Sequence, residues 1–200
     1  MRPGTEAGAA PGLDAIREAR QRNAAVVWRT PLEPSAWLAA VAGVPVHLKL
    51  ECWQRTRSFK IRGAHNAVAA LDDATRARGL VAASAGNHGL AVALAARVHG
   101  ARATVFVPET APATKKDRIR GSGAELREVA GSYDDAAAAA RRFAAETGAH
   151  PVHAFADPAV VAGQGTVGLE IVEELPGVAT VVVPVGGGGL AAGVGAALRA

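Results

Sequence analysis

The sequence is poor in cysteine and in aromatic residues. Its single cysteine, Cys52, excludes an internal disulfide and a thiolate metal cluster, and this fits a reducing compartment. Aromatic residues make up 4% of the chain and are not interleaved with basic residues, so the sequence lacks the pattern that stacks nucleic-acid bases. The six histidines show no metal-ligand spacing. We therefore expect no disulfide framework, no metal site and no nucleic-acid partner.

Long apolar runs are also absent. No run approaches the roughly 20 residues that a membrane-spanning helix needs. Residues 1–11 are rich in Gly and Ala, lack the apolar core of a signal peptide, and are expected to be disordered. The densest basic cluster, 115–120, contains Asp117 and is interpreted as a solvated helix face. We expect a cytoplasmic protein with no membrane partner.

From residue 80 onward, short apolar runs alternate with helical patterns. Strands are predicted at 80–84, 103–108, 125–129, 151–155 and 180–185, with helices between them. This alternation predicts parallel sheets with right-handed crossovers. The run 180–185 is continuously apolar, as expected of a central strand buried on both faces. The helical pattern after it has no cap and no following element, so we expect these 200 residues to be the front part of a longer protein.

Lys60 lies in the first turn of a predicted amphipathic helix. Ser58 can cap that helix, and apolar residues follow at helical spacing: Ile61, Ala64, Val68 and Leu71. The positive end of the helix dipole lowers the pKa of a lysine slightly, which favours the free amine. A free amine is a nucleophile toward aldehydes. Taken alone, such a lysine is more often a solvated surface residue.

Four glycines, 186–189, follow the predicted strand at 180–185 and open another helix at Leu190. Glycines let the backbone approach a ligand closely, and a helix start presents unpaired N–H groups to an anion. The stretch therefore predicts a phosphate cradle. It also fits a loose dinucleotide-binding pattern, but that pattern normally lies on the first strand of its unit, with an acidic residue about 20 positions on. No Lys-Ser/Thr pair follows, which disfavours a nucleotide P-loop.

The stretch Ser84–Gly89 reads Ser-Ala-Gly-Asn-His-Gly and lies at the carboxyl end of a predicted strand, where open α/β sheets bind ligands. We predict a turn at 86–89 and a helix at 90–99. The hydroxyl, the amide and the exposed N–H groups suit a carboxylate or phenolate oxygen. A helix-capping turn is an equally good interpretation, and His88 alone would be a capping or packing histidine.

Together, the three stretches provide the groups that pyridoxal phosphate requires. The cofactor has an aldehyde for the lysine, a phosphate for the glycine loop and a ring oxygen for the Asn-bearing loop.

Six stretches from about residue 28 to the end also carry a resemblance to a known family. They are 30–32, 49–51, 58–64, 84–89, 163–166 and 186–190. In order and spacing they resemble the serine/threonine dehydratase (threonine ammonia-lyase) group of fold-type II pyridoxal-phosphate enzymes. The resemblance implies an α/β fold of two open parallel-sheet domains with flanking helices, as in tryptophan synthase β. Residues 1–78 and 155–200 would form a large cofactor-binding domain that lacks its C-terminal part, and 79–154 a small mobile domain.

The resemblance also implies residue roles. Lys60 would bind the cofactor aldehyde and later act as the base at Cα, and Asn87 would hydrogen-bond the ring hydroxyl. The phosphate would be held by main-chain N–H groups of Gly186, Gly187, Gly188, Gly189 and Leu190. The substrate would be held by Ser84, Ala85, Gly86 and His88. Homo-oligomers, dimers or tetramers, are usual in the family.

The implied activity is β-elimination of L-threonine or L-serine to a 2-oxo acid and ammonia, by a lyase of amino-acid metabolism. Alternatives are a related lyase or racemase (an ectoine-pathway, hydroxyaspartate or serine racemase type), a catalytically incomplete fragment, and a dinucleotide-binding domain. In the serine racemases of the family, a serine directly before the Gly-Asn-His run supplies a second acid. Ala85 stands there in this sequence, which favours elimination.

Three features depart from the family pattern. Arg57 stands where the family usually has Gly before the Ser-Phe-Lys run, and Leu90 stands where a polar residue is common. In the family, a Ser or Cys contacts the pyridine nitrogen. That residue lies in a later part of the family's sequence, which these 200 residues do not include.

Overall fold

A computed structural model describes residues 10–199, and it forms an α/β fold with a parallel sheet and flanking helices. Residues 1–9 of the segment expected to be disordered lie outside the described residues. The helices are α1 (Leu13–Asn23), α2 (Ala36–Ala42), α3 (Lys60–Ala69), α4 (Asp73–Ala77), α5 (Asn87–Val98), α6 (Ala113–Gly121), α7 (Tyr133–Thr147), α8 (Pro158–Glu174) and α9 (Gly189–Leu198). The strands are β1 (Leu32–Pro34), β2 (His47–Lys49), β3 (Leu80–Ala83), β4 (Ala103–Pro108), β5 (Glu125–Val129) and β6 (His150–Pro151).

The parallel sheet has the strand order β5-β4-β3-β6. Leu80 of β3 lies opposite Ala103 of β4, and Thr104 of β4 lies opposite Glu125 of β5. The strands predicted at 80–84, 103–108 and 125–129 are confirmed, whereas the one predicted at 151–155 is reduced to His150–Pro151. Strands β1 and β2 form a separate antiparallel pair.

The prediction of a strand at 180–185 was wrong. Among the described residues, 180–185 pairs with no strand: one sheet contains β5, β4, β3 and β6, and the other contains β1 and β2. Val181 and Val183 pack on the cluster of Val167, Ile171 and Val194. Val182 and Val185 are 90% and 70% exposed, so one side of the segment is not buried. An apolar run becomes a strand only where a neighbouring strand pairs with it.

Local capping signals fixed two helix starts as predicted. Ser132 and Asp135 form a capping box at the start of α7, in which each side chain accepts a hydrogen bond from the other residue's backbone N–H. At α8, the Asp157 side chain accepts from the Ala159 N–H and Pro158 occupies the first helical position. Helix α8 packs against α1, α3 and α9 and is buried along most of its length.

Glycines bring two helices unusually close to α8. A Cβ added at Gly163 of α8 would lie 2.6 Å from the Cα of Gly63 in α3. A Cβ added at Gly193 of α9 would lie 2.6 Å from the backbone nitrogen of Gly165 in α8. Helix α8 therefore sets the positions of α3, which begins at Lys60, and of α9, which follows the glycine loop.

Replacing Gly163 with alanine is expected to lower the free energy of unfolding by about 3 kcal/mol, since the new methyl group would push backbone against backbone. Gly195 of α9 is a matched control, because a Cβ there meets nothing within 4 Å. Gly195→Ala should raise stability by about 0.5–1 kcal/mol through the helix propensity of alanine. Urea denaturation of both variants tests this, and equal midpoints would contradict the close packing.

Candidate active site

Helix α3 places Lys60 at its first residue, as predicted. The Ser58 hydroxyl accepts a hydrogen bond from the Lys60 backbone N–H at 3.4 Å. Ile61, Ala64 and Val68 of the predicted apolar stripe are fully buried in the main core. This burial fixes the rotation of the helix and turns the Lys60 side chain away from the core.

The amine of Lys60 is half-buried and held by the protein. Its Nζ donates to the main-chain oxygen of Ala154 at 2.9 Å and lies 5.2 Å from the centre of the Phe59 ring. Burial lowers the pKa of Lys60 below its ordinary value, because a charged ammonium loses hydration there. The lowered pKa raises the share of free amine, the nucleophilic form. Burial is thus a cause that the dipole argument from the sequence did not include.

A cavity of about 320 Å³ brings Lys60 and the glycine loop together. It is lined by Phe59, Lys60, Phe155, Pro184, Val185, Gly186, Gly187, Gly188, Gly189 and Leu190. The two stretches are far apart in sequence, and α8 joins them by packing against both of their helices.

The glycine loop has the geometry of an anion cradle. Gly188 has φ +84°, a left-handed conformation that favours glycine, and α9 begins at the next residue. A Cβ added at Gly187 would lie 2.6 Å from Cε1 of Phe155, so the loop closes tightly on that ring. Within residues 10–199 no side chain caps α9, so its first N–H groups are left for a ligand.

These residues fit pyridoxal phosphate. One cavity offers a primary amine for an aldehyde and a glycine-built helix start for a phosphate. Gly187 and Gly189 leave no room for a Cβ beside Phe155, which also lines the cavity. Residues 10–199 contain no group of three or more His, Cys, Asp or Glu side chains that could hold a metal ion.

The Asn-bearing loop lies outside the lining of this cavity. Asn87 is exposed and is the first residue of α5, so the turn predicted at 86–89 was wrong and the helix starts three residues earlier than predicted. The Ser84 hydroxyl accepts from the Gly86 N–H at 3.2 Å. Ala85 and Gly86 are partly buried. The structure does not bring these residues into the cavity with Lys60.

His88 is turned into the protein. It is 3% exposed, and its Nε2 lies 2.8 Å from the main-chain oxygen of Val152. Burial is the largest influence on the ring and lowers the pKa of His88 to about 4, so the imidazole is neutral near pH 7. A neutral ring must carry its proton on Nε2 in order to donate to Val152. The His88 side chain is therefore directed into the protein and not into the cavity.

Sequence reasoning missed a buried network of ion pairs beside Lys60. Arg62, 1% exposed, donates to both carboxylate oxygens of Glu51 and to both of Glu170, at 2.6–2.9 Å. Lys49 lies 2.8 Å from Glu170 and also donates to Glu174. Burial alone would lower the pKa of Arg62, but its hydrogen bonds to the two glutamates and their negative charges raise it above its ordinary value. The network ties the start of α3 to β2 and to α8.

The one local sign of this network in the sequence is the spacing of Lys49 and Glu51, since residues two apart in an extended segment point to the same side. Their partners, Arg62 and Glu170, are distant in sequence, so the pairing could not be predicted.

Arg57 combines a departure from the family pattern with an unusual backbone conformation. Its φ is +60°, and it is the one non-glycine residue between 10 and 199 with a positive φ. This left-handed conformation costs an L-residue energy, whereas glycine adopts it freely. The Arg57 N–H donates to Gln54 at 2.7 Å, which closes the turn before Lys60. The glycine that the family uses at this position is therefore explained by the shape of the turn.

Replacing Arg57 with glycine should raise the free energy of unfolding by about 1 kcal/mol. Glycine removes the cost of the left-handed φ in the folded protein, and its greater freedom in the unfolded chain offsets part of this gain. Arg57→Ala is the control, because it removes the same side chain and keeps the strained φ. Thermal or urea denaturation should show a gain for glycine only. A similar gain in the alanine variant would assign the effect to the side chain instead.

The fold is α/β, and the cavity suits an aldehyde that carries a phosphate. The model of the family described as pyridoxal-phosphate dependent enzyme matches residues 24–200. The chain belongs to this family, and pyridoxal phosphate is its cofactor. The predictions of the cofactor, of the fold-type II architecture and of the threonine dehydratase group are confirmed.

Three known proteins illustrate the similarity. An L-threonine ammonia-lyase of Thermotoga maritima is 50% identical over 187 residues, which cover 94% of this chain and 47% of that protein. The structure of maize serine racemase matches 95% of this chain and 58% of its own, with TM-score 0.92 and 40% identity. The processed form of threonine deaminase isoform 2 from Solanum lycopersicum matches 96% of this chain and 54% of its own, with TM-score 0.87 and 34% identity. The chain spans about half the length of the curated relatives it matches.

Proposed function

We propose that the protein is a pyridoxal-phosphate-dependent ammonia-lyase that converts L-threonine or L-serine to a 2-oxo acid and ammonia. The observation that carries this proposal is the meeting of the half-buried Lys60 amine and the glycine loop in one cavity. Similarity to an L-threonine ammonia-lyase supports the choice of reaction and substrate. The exposed side of 180–185 and the partial coverage of the relatives keep a catalytically incomplete fragment as the alternative.

Each part of the proposed site has a role in this reaction. When bound, pyridoxal phosphate withdraws electrons from the Cα of the amino acid. Lys60 would hold the cofactor through its aldehyde, and its free amine would take the Cα proton, for which a lowered pKa is an advantage. The main-chain N–H groups of 186–190 would bind the phosphate, and Asn87 would hydrogen-bond the ring hydroxyl. The N–H groups of the 84–88 loop hold the substrate carboxylate.

Elimination is proposed over racemisation because of Ala85. A racemase needs a second acid on the face of Cα opposite the lysine, and a methyl group cannot donate a proton. The neighbouring Ser84 hydroxyl is engaged with the N–H of Gly86 in its own loop. Similarity to maize serine racemase makes racemisation the second candidate.

With L-serine, the protein should therefore form pyruvate and ammonia with little D-serine, as measured by chiral chromatography. Ala85→Ser is the matched variant, since it restores a hydroxyl at that position and should raise the share of D-serine. If the unmodified protein formed D-serine at a rate comparable to pyruvate, the dehydratase assignment would be contradicted.

We also propose that residues 79–154 move as a small domain against 1–78 and 155–200, because the whole parallel sheet lies within 80–151. The protein is proposed to be cytoplasmic and to form homo-oligomers. No helix between residues 10 and 199 has both the length and the apolar character to cross a membrane.

A further inference from the structure

Segment 152–155, which follows β6, contacts all three parts of the proposed site. The oxygen of Val152 accepts from His88, the residue after Asn87. The oxygen of Ala154 accepts from the amine of Lys60. Phe155 packs on the glycine loop: a Cβ added at Gly187 would overlap its ring, and one added at Gly189 would lie 3.0 Å from its Cα. One short piece of backbone thus joins three elements that are far apart in sequence.

The segment is itself held in a defined shape. Val152 N–H donates to the oxygen of Val81 in β3 at 2.9 Å, which anchors its start to the sheet. Nδ1 of His153 accepts from the N–H groups of Phe155 and Ala156, at 3.3 Å and 3.0 Å, which folds its end into a turn. The His153 and Phe155 rings meet edge to face at 4.6 Å. A displacement at Val152 would therefore be passed on to Ala154 rather than absorbed.

We propose that His88 is a positioning residue that holds the Asn87 loop in register with Lys60 through segment 152–155. This inference rests on the proposed function, because it concerns the same site. His88 touches neither the cavity nor the reacting atoms, and acts through a carbonyl two residues from the one that holds the lysine amine. Displacing catalytic groups by about 1 Å can cost up to about a hundredfold in rate.

Two observations separate this role from ordinary core packing. The Nδ1 atom of His88 is buried with no hydrogen-bond partner among the described residues, so its contact with Val152 is its one polar interaction there. The His88 ring and the Lys60 amine both bond carbonyls of segment 152–155, two residues apart, which links the ring to the amine. A residue chosen for packing alone would be apolar, because an unpaired buried nitrogen costs free energy.

The test compares His88→Gln with His88→Leu in the protein supplied with pyridoxal phosphate. Glutamine places an amide nitrogen near the position of Nε2 and can still donate to Val152, whereas leucine cannot. The readouts are the rate and pH profile of covalent attachment of the cofactor to Lys60, trapped with borohydride and measured by mass spectrometry, and the KM and kcat for L-threonine. His65→Leu is the control, because His65 is also a buried neutral histidine but bonds Asn23 and His99 instead.

His88→Leu should slow attachment by about tenfold and shift its pH midpoint, while His88→Gln and His65→Leu stay within about twofold of the unmodified protein. Equal attachment rates for His88→Leu and His65→Leu would overturn the inference and leave the proposed function standing. If His88→Leu does not fold, His88→Asn replaces it, since its shorter amide cannot reach Val152, and equal rates for the Asn and Gln variants would overturn the inference. No attachment in the unmodified protein would overturn the proposed function itself.

Discussion

Replacing Lys60 with alanine is expected to abolish covalent attachment of pyridoxal phosphate and to reduce elimination at least about a thousandfold, because one group supplies both the anchor and the base. The sequence holds four lysines, and Lys60 is the one that lines the cavity. Lys49 is paired with Glu170 and Glu174, and Lys116 is paired with Glu128. Visible absorbance of the purified protein and 2-oxo acid formation from L-threonine measure the two effects.

Lys115→Ala is the control for this experiment, since Lys115 is exposed on α6, away from the cavity. That variant should keep the absorbance and the rate of the unmodified protein. An undiminished chromophore in Lys60→Ala would remove Lys60 from the mechanism.

Replacing Arg62 with methionine is expected to lower the free energy of unfolding by about 4 kcal/mol. Methionine fills much of the arginine volume but leaves the Glu51 and Glu170 carboxylates without their main partner, in surroundings where their side chains are only 13% and 9% exposed. Glu51 would lose its charged partner and Glu170 would keep only Lys49, which is costly in such surroundings. The loss falls two residues from Lys60. Cofactor attachment should therefore weaken together with stability.

Arg17→Met provides the comparison, because Arg17 pairs with Asp14 on the exposed face of α1. Pairs between exposed side chains contribute little, so this variant should hardly change the denaturation midpoint. Equal urea midpoints for Arg62→Met and Arg17→Met would show that the buried network does not hold the start of α3 in place.

Features that depend on neighbouring residues were predictable from the sequence. The capping box at Ser132 and the Asp157–Pro158 pair marked helix starts, because the groups that stop and start a helix lie within one turn of it. The strand at 103–108 was found to the residue, since its apolar run is bounded by clear breaks. The placement of Lys60 at a helix start followed from the same local rules.

Features that depend on distant residues were not predictable. The apolar run 180–185 looks like a central strand, yet a ladder requires a neighbour that the run itself does not specify. Lys49, Glu51 and Arg62 look like surface charges until the fold places Glu170 against them. The start of α5 at Asn87 was missed because two glycines flank the Asn-His pair, and glycine usually marks a turn.

The stretch Gly163–Thr166 shows how a resemblance and a structure complement each other. The resemblance marks it as a family motif without giving a physical reason. The structure supplies one, because Gly163 and Gly165 let α8 approach α3 and α9 closely, and the Thr166 hydroxyl accepts a hydrogen bond from Arg62 at 3.1 Å. The motif thus aligns Lys60 with the glycine loop without itself lining the cavity.

Identifying the lysine to which pyridoxal phosphate becomes attached is the most direct test of the assigned site. The protein would be incubated with the cofactor, reduced with borohydride and digested, and the modified peptide identified by mass spectrometry. The geometry of the cavity predicts a single modified residue, Lys60. Modification of Lys49, Lys115 or Lys116 to a similar extent, or no modification at all, would contradict the proposed active site.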